Sequence, residues 1–335
     1  MKYGTFKFNG KERIGALKDN CLVDVQRAYA LYLKEEEGDG QADEMARAII
    51  SNDFLEFLES GKEAWEAART GFEYVKDSPK DKLGINEEFI FYNLEDVKIL
   101  KPYQPKTIMC AGPELEDPEN NDMHDYIEFY LKSSHTIIDP GEEIYYEGDH
   151  TGRIDFEPEL ALVIGEKGRF LEEDEIMDHV FGYTILTDVY SLDKLQVGWE
   201  GTMFHVRYGE GESFDNSAPI GPWVVTKDEI ENPENLKLKK YINDELVVES
   251  NTSDLLRSVK EFASYCSTFF TMKPEILIST GNPDGVVFGT DDEGIPVIKD
   301  MRANKVQLKP GDKVRCEIEN IGKIENPVID YREVK

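Results

Sequence analysis

The segment RIDFEPELALVIGEKGRFLEEDEIMDHVFGYTILTDVYSLD, residues 153–193, constrains the fold more than any other stretch. Leu160, Ala161, Leu162, Val163 and Ile164 form an apolar run closed by Gly165, and a second run, GYTILTDV, follows soon after. Short apolar runs ended by glycine predict buried strands. The first run is led by acids spaced i, i+2, i+4: Asp155, Glu157 and Glu159. On an extended strand these three share one face, and Phe156, Pro158 and Leu160 share the other. Carboxylates gathered in this way are what a hard cation such as Mg²⁺ or Ca²⁺ requires. Chance supplies such triplets too, since 69 of 335 residues are acidic; Glu35, Glu37 and Asp39 form one inside the solvated stretch EEEGDG. The setting separates the two, because Glu159 abuts an apolar run and a carboxylate at a core margin needs compensation.

The rest of the chain divides into two textures. Residues 3–25 alternate apolar and polar about Asn9-Gly10, a hairpin signal, and continue into a strand-like run from Cys21 to Val25. Met45, Ile49, Phe54 and Leu58 predict helix within 42–59, and Trp65, Ala68, Phe72 and Val75 predict another over 61–76. Asp53 stands where the second part of the first helical stretch starts. The polar stretch SPKDKLGINEE, residues 78–88, reads as a linker. A small α+β domain is therefore expected over 1–95. Residues 96–335 read as mainly β, a series of short strands and turns with helices at 171–180 and 253–270. Ser253 is the expected N-cap of the latter, with Leu256, Val259, Phe262, Ala263 and Cys266 on its inner face. Pro310-Gly311-Asp312 marks a turn before the last strand pair. No βαβ alternation with a Gly-rich phosphate loop is present, which disfavours a nucleotide-binding fold.

Composition narrows the partners. A net charge of −31 argues against nucleic acid and anionic membrane, both of which require a basic face. Cys21, Cys110, Cys266 and Cys316 are scattered, without CxxC or zinc-spaced histidines, so core thiols in a reducing cytoplasm are expected. No stretch approaches the roughly 20 apolar residues of a membrane span.

In order, the blocks DFEPELALVIG, GYTILTDVYSLD, SFDNSAPIGPW, NTSDLL, ISTGNPDGV and LKPGDKVRCEIENIGKIENPV resemble the fumarylacetoacetate hydrolase family over roughly residues 96–330. The first 95 residues resemble, more loosely, the small leading domain of its longer members. The resemblance implies an α+β, mainly β fold, a β-roll with flanking helices, assembled as a homodimer. It implies Mg²⁺, with Mn²⁺ or Ca²⁺ as alternatives, held by Glu157, Glu159 and Asp188, with Asp155 demoted to a supporting place. Three carboxylates leave about three octahedral positions for water and a chelating 2-oxo acid. Lys132 and Thr280 would contact that substrate, and Gly281 and Gly285 would serve backbone turns. The implied chemistry is hydrolytic C–C cleavage of a small 2-oxo or β-diketo acid. The alternatives are dehydration of a 2-keto-3-deoxy sugar acid and an inactive metal-binding homologue.

Three departures bear on the chemistry. Glu212 stands where the family's K-S-F-D element has lysine, in GEGESFDNSAPIGP, and a carboxylate supplies no positive charge. The lid signature with its water-activating His–Glu pair is reduced to His124 and Glu128, four residues apart and suited to one helical face. Leu192 replaces an arginine that would clamp a carboxylate. Lys194 and Arg207 are candidates to restore charge, and His205 is a candidate base; each reads more readily as a surface charge or, for the histidine, a packed or exposed ring.

Overall fold

A computed structural model describes residues 1–112, 127–195, 198–200, 203–205, 207–283, 286–290, 296–301 and 307–334. The chain opens with strands β1 (Lys2–Phe8), β2 (Lys11–Lys18) and β3 (Cys21–Asp24). Helices α1 (Val25–Glu35), α2 (Ala42–Ile49), α3 (Phe54–Glu59) and α4 (Gly61–Val75) follow. Next come β4 (Phe91–Asn93), β5 (Lys98–Ile99), β6 (Thr107–Ala111), β7 (Phe129–Lys132), β8 (Ile137–Ile138) and β9 (Ile144–Tyr146). The central region holds β10 (Ile154–Ile164), α5 (Glu173–His179), β11 (Val180–Ser191) and α6 (Leu192–Leu195). It continues through β12 (Gly198–Glu200), β13 (Met203–His205), α7 (Tyr208–Glu212) and β14 (Ala218–Thr226). The chain then forms β15 (Lys237–Ile242), β16 (Glu245–Asn251), α8 (Val259–Phe269) and β17 (Ile276–Ser279). It ends with β18 (Val286–Thr290), β19 (Pro296–Met301), β20 (Lys313–Ile318) and β21 (Gly322–Asp330).

Local chemistry sets several of these boundaries. Asn9 and Gly10 both take positive φ, 49° and 77°, and turn β1 into β2 as their dipeptide predicts. The stretch 42–59 forms two helices rather than one, because Asp53 caps α3 by accepting from Glu56 N at 3.0 Å. At α8, Ser258 rather than Ser253 is the cap and accepts from Glu261 N at 3.1 Å, while Asn251 accepts from Ser253 N at 2.9 Å just upstream. Helix α1 is absent from the sequence expectation. Its cap, Asp24, accepts from Arg27 N at 3.1 Å and pairs with Arg13 at 3.1 Å while fully buried.

The main sheet runs β4-β3-β2-β1-β14-β11-β10-β17-β6-β7, with β5 beside β1 and β8 beside β14. Strands from both sides of residue 95 thus share one sheet. One face, bearing Ala161, Val163 and Leu186, packs on α1, α3 and α4 through Leu31, Phe57 and Phe72. The other, bearing Phe156, Leu160 and Leu162, packs on α8 and on a second sheet, β16-β15-β20-β21-β9. The layers are helices, sheet, then sheet with helix. All four cysteines are buried, and none of them forms a disulfide. Among the described residues no helix is long and apolar enough to cross a membrane.

Candidate active site

Strands β10 and β11 are long, central and antiparallel, and their register opposes Glu157 to Asp188 and Glu159 to Leu186. Directly opposed side chains on one face have Cβ atoms about 5 Å apart, and like charges there repel. Glu157, Glu159 and Asp188 lie in the phase of Ala161, Val163 and Leu186, so the shared face predicted from spacing is present. It carries three acids where an apolar layer would otherwise continue.

Strand β7 brings in the counter-charge. Lys132 is 2% exposed, and its Nζ stands 2.5 Å from Asp188 Oδ1 and 3.7 Å from Glu212 Oε2. It also donates to the carbonyls of Val189, at 3.1 Å, and Glu212. Tyr130, two residues earlier on the same strand, donates from its hydroxyl to Asp188 Oδ2 at 2.5 Å and stacks on Tyr208 at 4.7 Å. Ser279 donates to Glu159 Oε2 at 2.5 Å. Asp155 is drawn aside by Lys240, whose Nζ lies 2.6 Å from its Oδ1.

Burial shapes the electrostatics. Burial first, and then Asp188 and Asp155, push the Glu157 carboxyl up to about 8, against the opposing pull of Lys240. Glu159 and Glu212 are pushed up by burial and by Asp188. Burial lowers the Lys132 ammonium, but Asp188 and Glu212 outweigh it and leave its pKa raised. The Cys110 thiol, near the same acids, is raised by burial and by Asp188 and is no nucleophile.

Four carboxylates, Glu157, Glu159, Asp188 and Glu212, thus act on one another, and Lys132 pairs directly with two of them, Asp188 and Glu212. Among the described residues no three ligand-type side chains are arrayed as a finished metal group. The donor chemistry nevertheless fits a hard divalent cation: all oxygen, largely dehydrated and in excess of positive charge. Glu212 Oε2 is buried and accepts no hydrogen bond among the described residues.

The other expectations fall out as follows. Glu212, which sequence alone did not place, lies inside this cluster at the end of α7. Thr280 adjoins it, but its hydroxyl donates to Leu160 O at 3.0 Å, a strand-end role. Gly281 takes φ +82°, as a backbone turn demands, while Gly285 lies outside the described residues. His124 also lies outside them; Glu128 leads into β7 and accepts from Gly112 N through its carbonyl at 2.9 Å. Arg207 is exposed beside Glu210, at 4.0 Å, and Lys194 lines a cavity of about 290 Å³ with His150 and Glu147, so neither restores charge to the cluster. The His205 side chain lies outside the description. Leu192 is buried with Tyr190 and Leu195.

Sequence reasoning missed Tyr130, Ser279 and Lys240. The signals were present: Tyr130 precedes Lys132 by two residues, Ser279 adjoins Thr280, and Lys240 interrupts the inward pair Leu238 and Ile242.

Comparison with known proteins places the chain in a family. Residues 110–329 match the fumarylacetoacetate hydrolase C-terminal family. The mitochondrial oxaloacetate tautomerase fahd2 of Xenopus laevis is 32% identical over 278 residues, 82% of this chain and 77% of that one. The oxaloacetate tautomerase YisK of Bacillus subtilis is 29% identical over 336 residues, 98% of this chain and 100% of its own. The solved fumarylacetoacetate hydrolase of Exiguobacterium antarcticum superposes with a TM-score of 0.68 at 26% identity, covering 98% of this chain and 99% of that one. A maleylpyruvate hydrolase from Sphingobium, solved with manganese and pyruvate, shares the fold at a TM-score of 0.65 and 21% identity, over 98% and 99% of the two chains. These relatives are enzymes named for small oxo acids, and the family match spans well over half of this sequence. The α+β, mainly β architecture and the matched segment together establish that the chain belongs to the fumarylacetoacetate hydrolase family.

Proposed function

We propose that the protein is a divalent-cation-dependent enzyme that interconverts keto and enol forms of a small 2-oxo acid of the oxaloacetate type. The observation that carries this is the cluster of Glu157, Glu159 and Glu212 about Asp188, in which Lys132 pairs with Asp188 and Glu212 alone. Glu157, Glu159 and Asp188 are the proposed ligands, with Mg²⁺ as the expected ion and Mn²⁺ as its substitute. When bound, a divalent cation supplies Lewis acidity to the carboxylate and keto oxygens of such a substrate.

The chain's own residues do the rest. Lys132 and Tyr130 hold the two oxygens of Asp188 in a fixed orientation. Glu212, whose carboxyl is raised by burial and by Asp188, exchanges a proton with the substrate's α-carbon. Thr280 turns its hydroxyl from Leu160 towards the substrate carboxylate. Tautomerisation couples this transfer at carbon to the opposite one at the enol oxygen, whose proton is exchanged with solvent, and needs no nucleophilic water; the two similar curated relatives carry that activity in their names. Hydrolytic C–C cleavage, which requires an activated water as well, is the second reading; the name of the Exiguobacterium relative supports it.

The test is the decay of freshly dissolved enol-oxaloacetate with Mn²⁺, with and without protein. Acceleration that disappears in chelator and in Glu157→Ala is expected. Decay at the rate of buffer plus Mn²⁺ overturns the reading, and pyruvate release from an acylpyruvate instead moves the assignment to hydrolysis.

A further inference from the structure

Strand β15 points Leu238, Lys240 and Ile242 inward, and the middle residue breaks an apolar alternation. Lys240 is 3% exposed. An ammonium stripped of water in this way persists only with a close anionic partner. That partner is Asp155, whose Oδ1 receives Lys240 Nζ at 2.6 Å and Phe156 N at 2.8 Å. The ammonium also lies 4.6 Å from the centre of the Phe156 ring. Asp155 is fully buried, and its Oδ2 accepts no hydrogen bond among the described residues. Two residues before Glu157 on one strand, Asp155 belongs by spacing to the same acidic row.

We propose that Lys240 is a positioning residue: it is an internal cation that withholds Asp155 from the metal site, keeps the donor set small, and so sets a preference for Mg²⁺ over Ca²⁺. The inference rests on the reading of Glu157, Glu159 and Asp188 as cation ligands. Mg²⁺ takes six oxygens in a tight octahedron, whereas Ca²⁺ takes up to about eight at longer range and gains from each added carboxylate. A freed Asp155 adds one more buried oxygen donor and tilts the balance to the larger ion.

The test measures Mg²⁺ and Ca²⁺ affinities by calorimetry, with metal-free thermal midpoints alongside, for the intact chain, Lys240→Met, Asp155→Asn and Lys240→Met/Asp155→Asn. In Lys240→Met the Ca²⁺/Mg²⁺ affinity ratio rises about tenfold or more, and the double variant returns to the wild-type ratio. In Asp155→Asn the freed ammonium swings towards Glu157 and weakens both ions about tenfold; this arm stands even where Lys240→Met fails to fold. A Lys240→Met protein that melts earlier but keeps its ion preference within about twofold overturns the proposal and makes the pair a purely structural one. Unchanged affinities in Asp155→Asn overturn it as well. A wild-type protein that binds neither ion overturns the metal reading itself, an outcome separate from a wild type that binds while its variants show no altered preference.

Discussion

Replacing Lys132 with methionine keeps most of the side-chain volume and deletes the one ammonium that meets Asp188 at 2.5 Å and Glu212 at 3.7 Å. Both carboxylates remain buried. Removing one member of a buried ion pair costs about 3–5 kcal/mol, because the surviving charge is left without compensation. For 335 residues, an unfolding entropy of about 2.1 cal/mol/K per residue converts 3–5 kcal/mol into a fall in Tm of about 4–7 °C. The assay is differential scanning calorimetry in chelator, repeated after adding Mn²⁺. The midpoint of the variant drops by that amount in chelator, and Mn²⁺ raises it by more than it raises wild type, since the added cation takes over the neutralising role. Lys132→Met/Glu212→Gln recovers part of the loss. A drop below about 1 °C, or a smaller Mn²⁺ response than wild type, refutes the account of Lys132 as the counter-charge of the acid cluster.

Other consequences are equally direct. Glu157 is raised from 4.5 to about 8, so the folded metal-free protein holds a proton there that the unfolded chain releases. Wild type therefore loses stability relative to Glu157→Gln as pH climbs through that window, and thermal midpoints in chelator that diverge the other way contradict this. Ser279→Ala removes the 2.5 Å hydrogen bond to Glu159 and weakens Mn²⁺ binding about tenfold in calorimetry, with little change in fold by circular dichroism. Ser258→Ala costs about 1 kcal/mol in urea unfolding and Ser253→Ala a few tenths at most, the reverse of what the sequence alone suggests.

The acidic row and its partner strand were legible because strand periodicity is local: spacing alone put Glu157 and Glu159 on one face, and the register of β10 with β11 supplies Asp188 opposite. Lys132 was singled out, but its depth was not, since its partners lie 56 and 80 positions away. Asp155 illustrates the limit. Its spacing made it a ligand by pattern, and only Lys240, from a different sheet and 85 positions on, explains why it is held apart. Helix α1 escaped because CLVDV reads as a strand into Val25; the buried cap Asp24 ends that strand and starts the helix at once. At α8 two serines five residues apart compete for the cap, and the turn at Asn251 decides in favour of the second. The lid histidine lies outside the described residues, so the sequence expectation for it stands as it was.

Strand β1 has a consequence for anyone dividing this chain. It pairs with β14 through Lys2 and Tyr3, and β14 in turn pairs with β11, the strand that carries Asp188. A fragment starting near residue 96 would keep β8 on Ala218 and Pro219 but strip β1 from Val224 and Val225 of β14, baring that stretch one strand from the acids, an invitation to foreign strands. The leading segment thus closes the sheet one strand away from the strand that carries Asp188, and it lies outside the segment that matches the family.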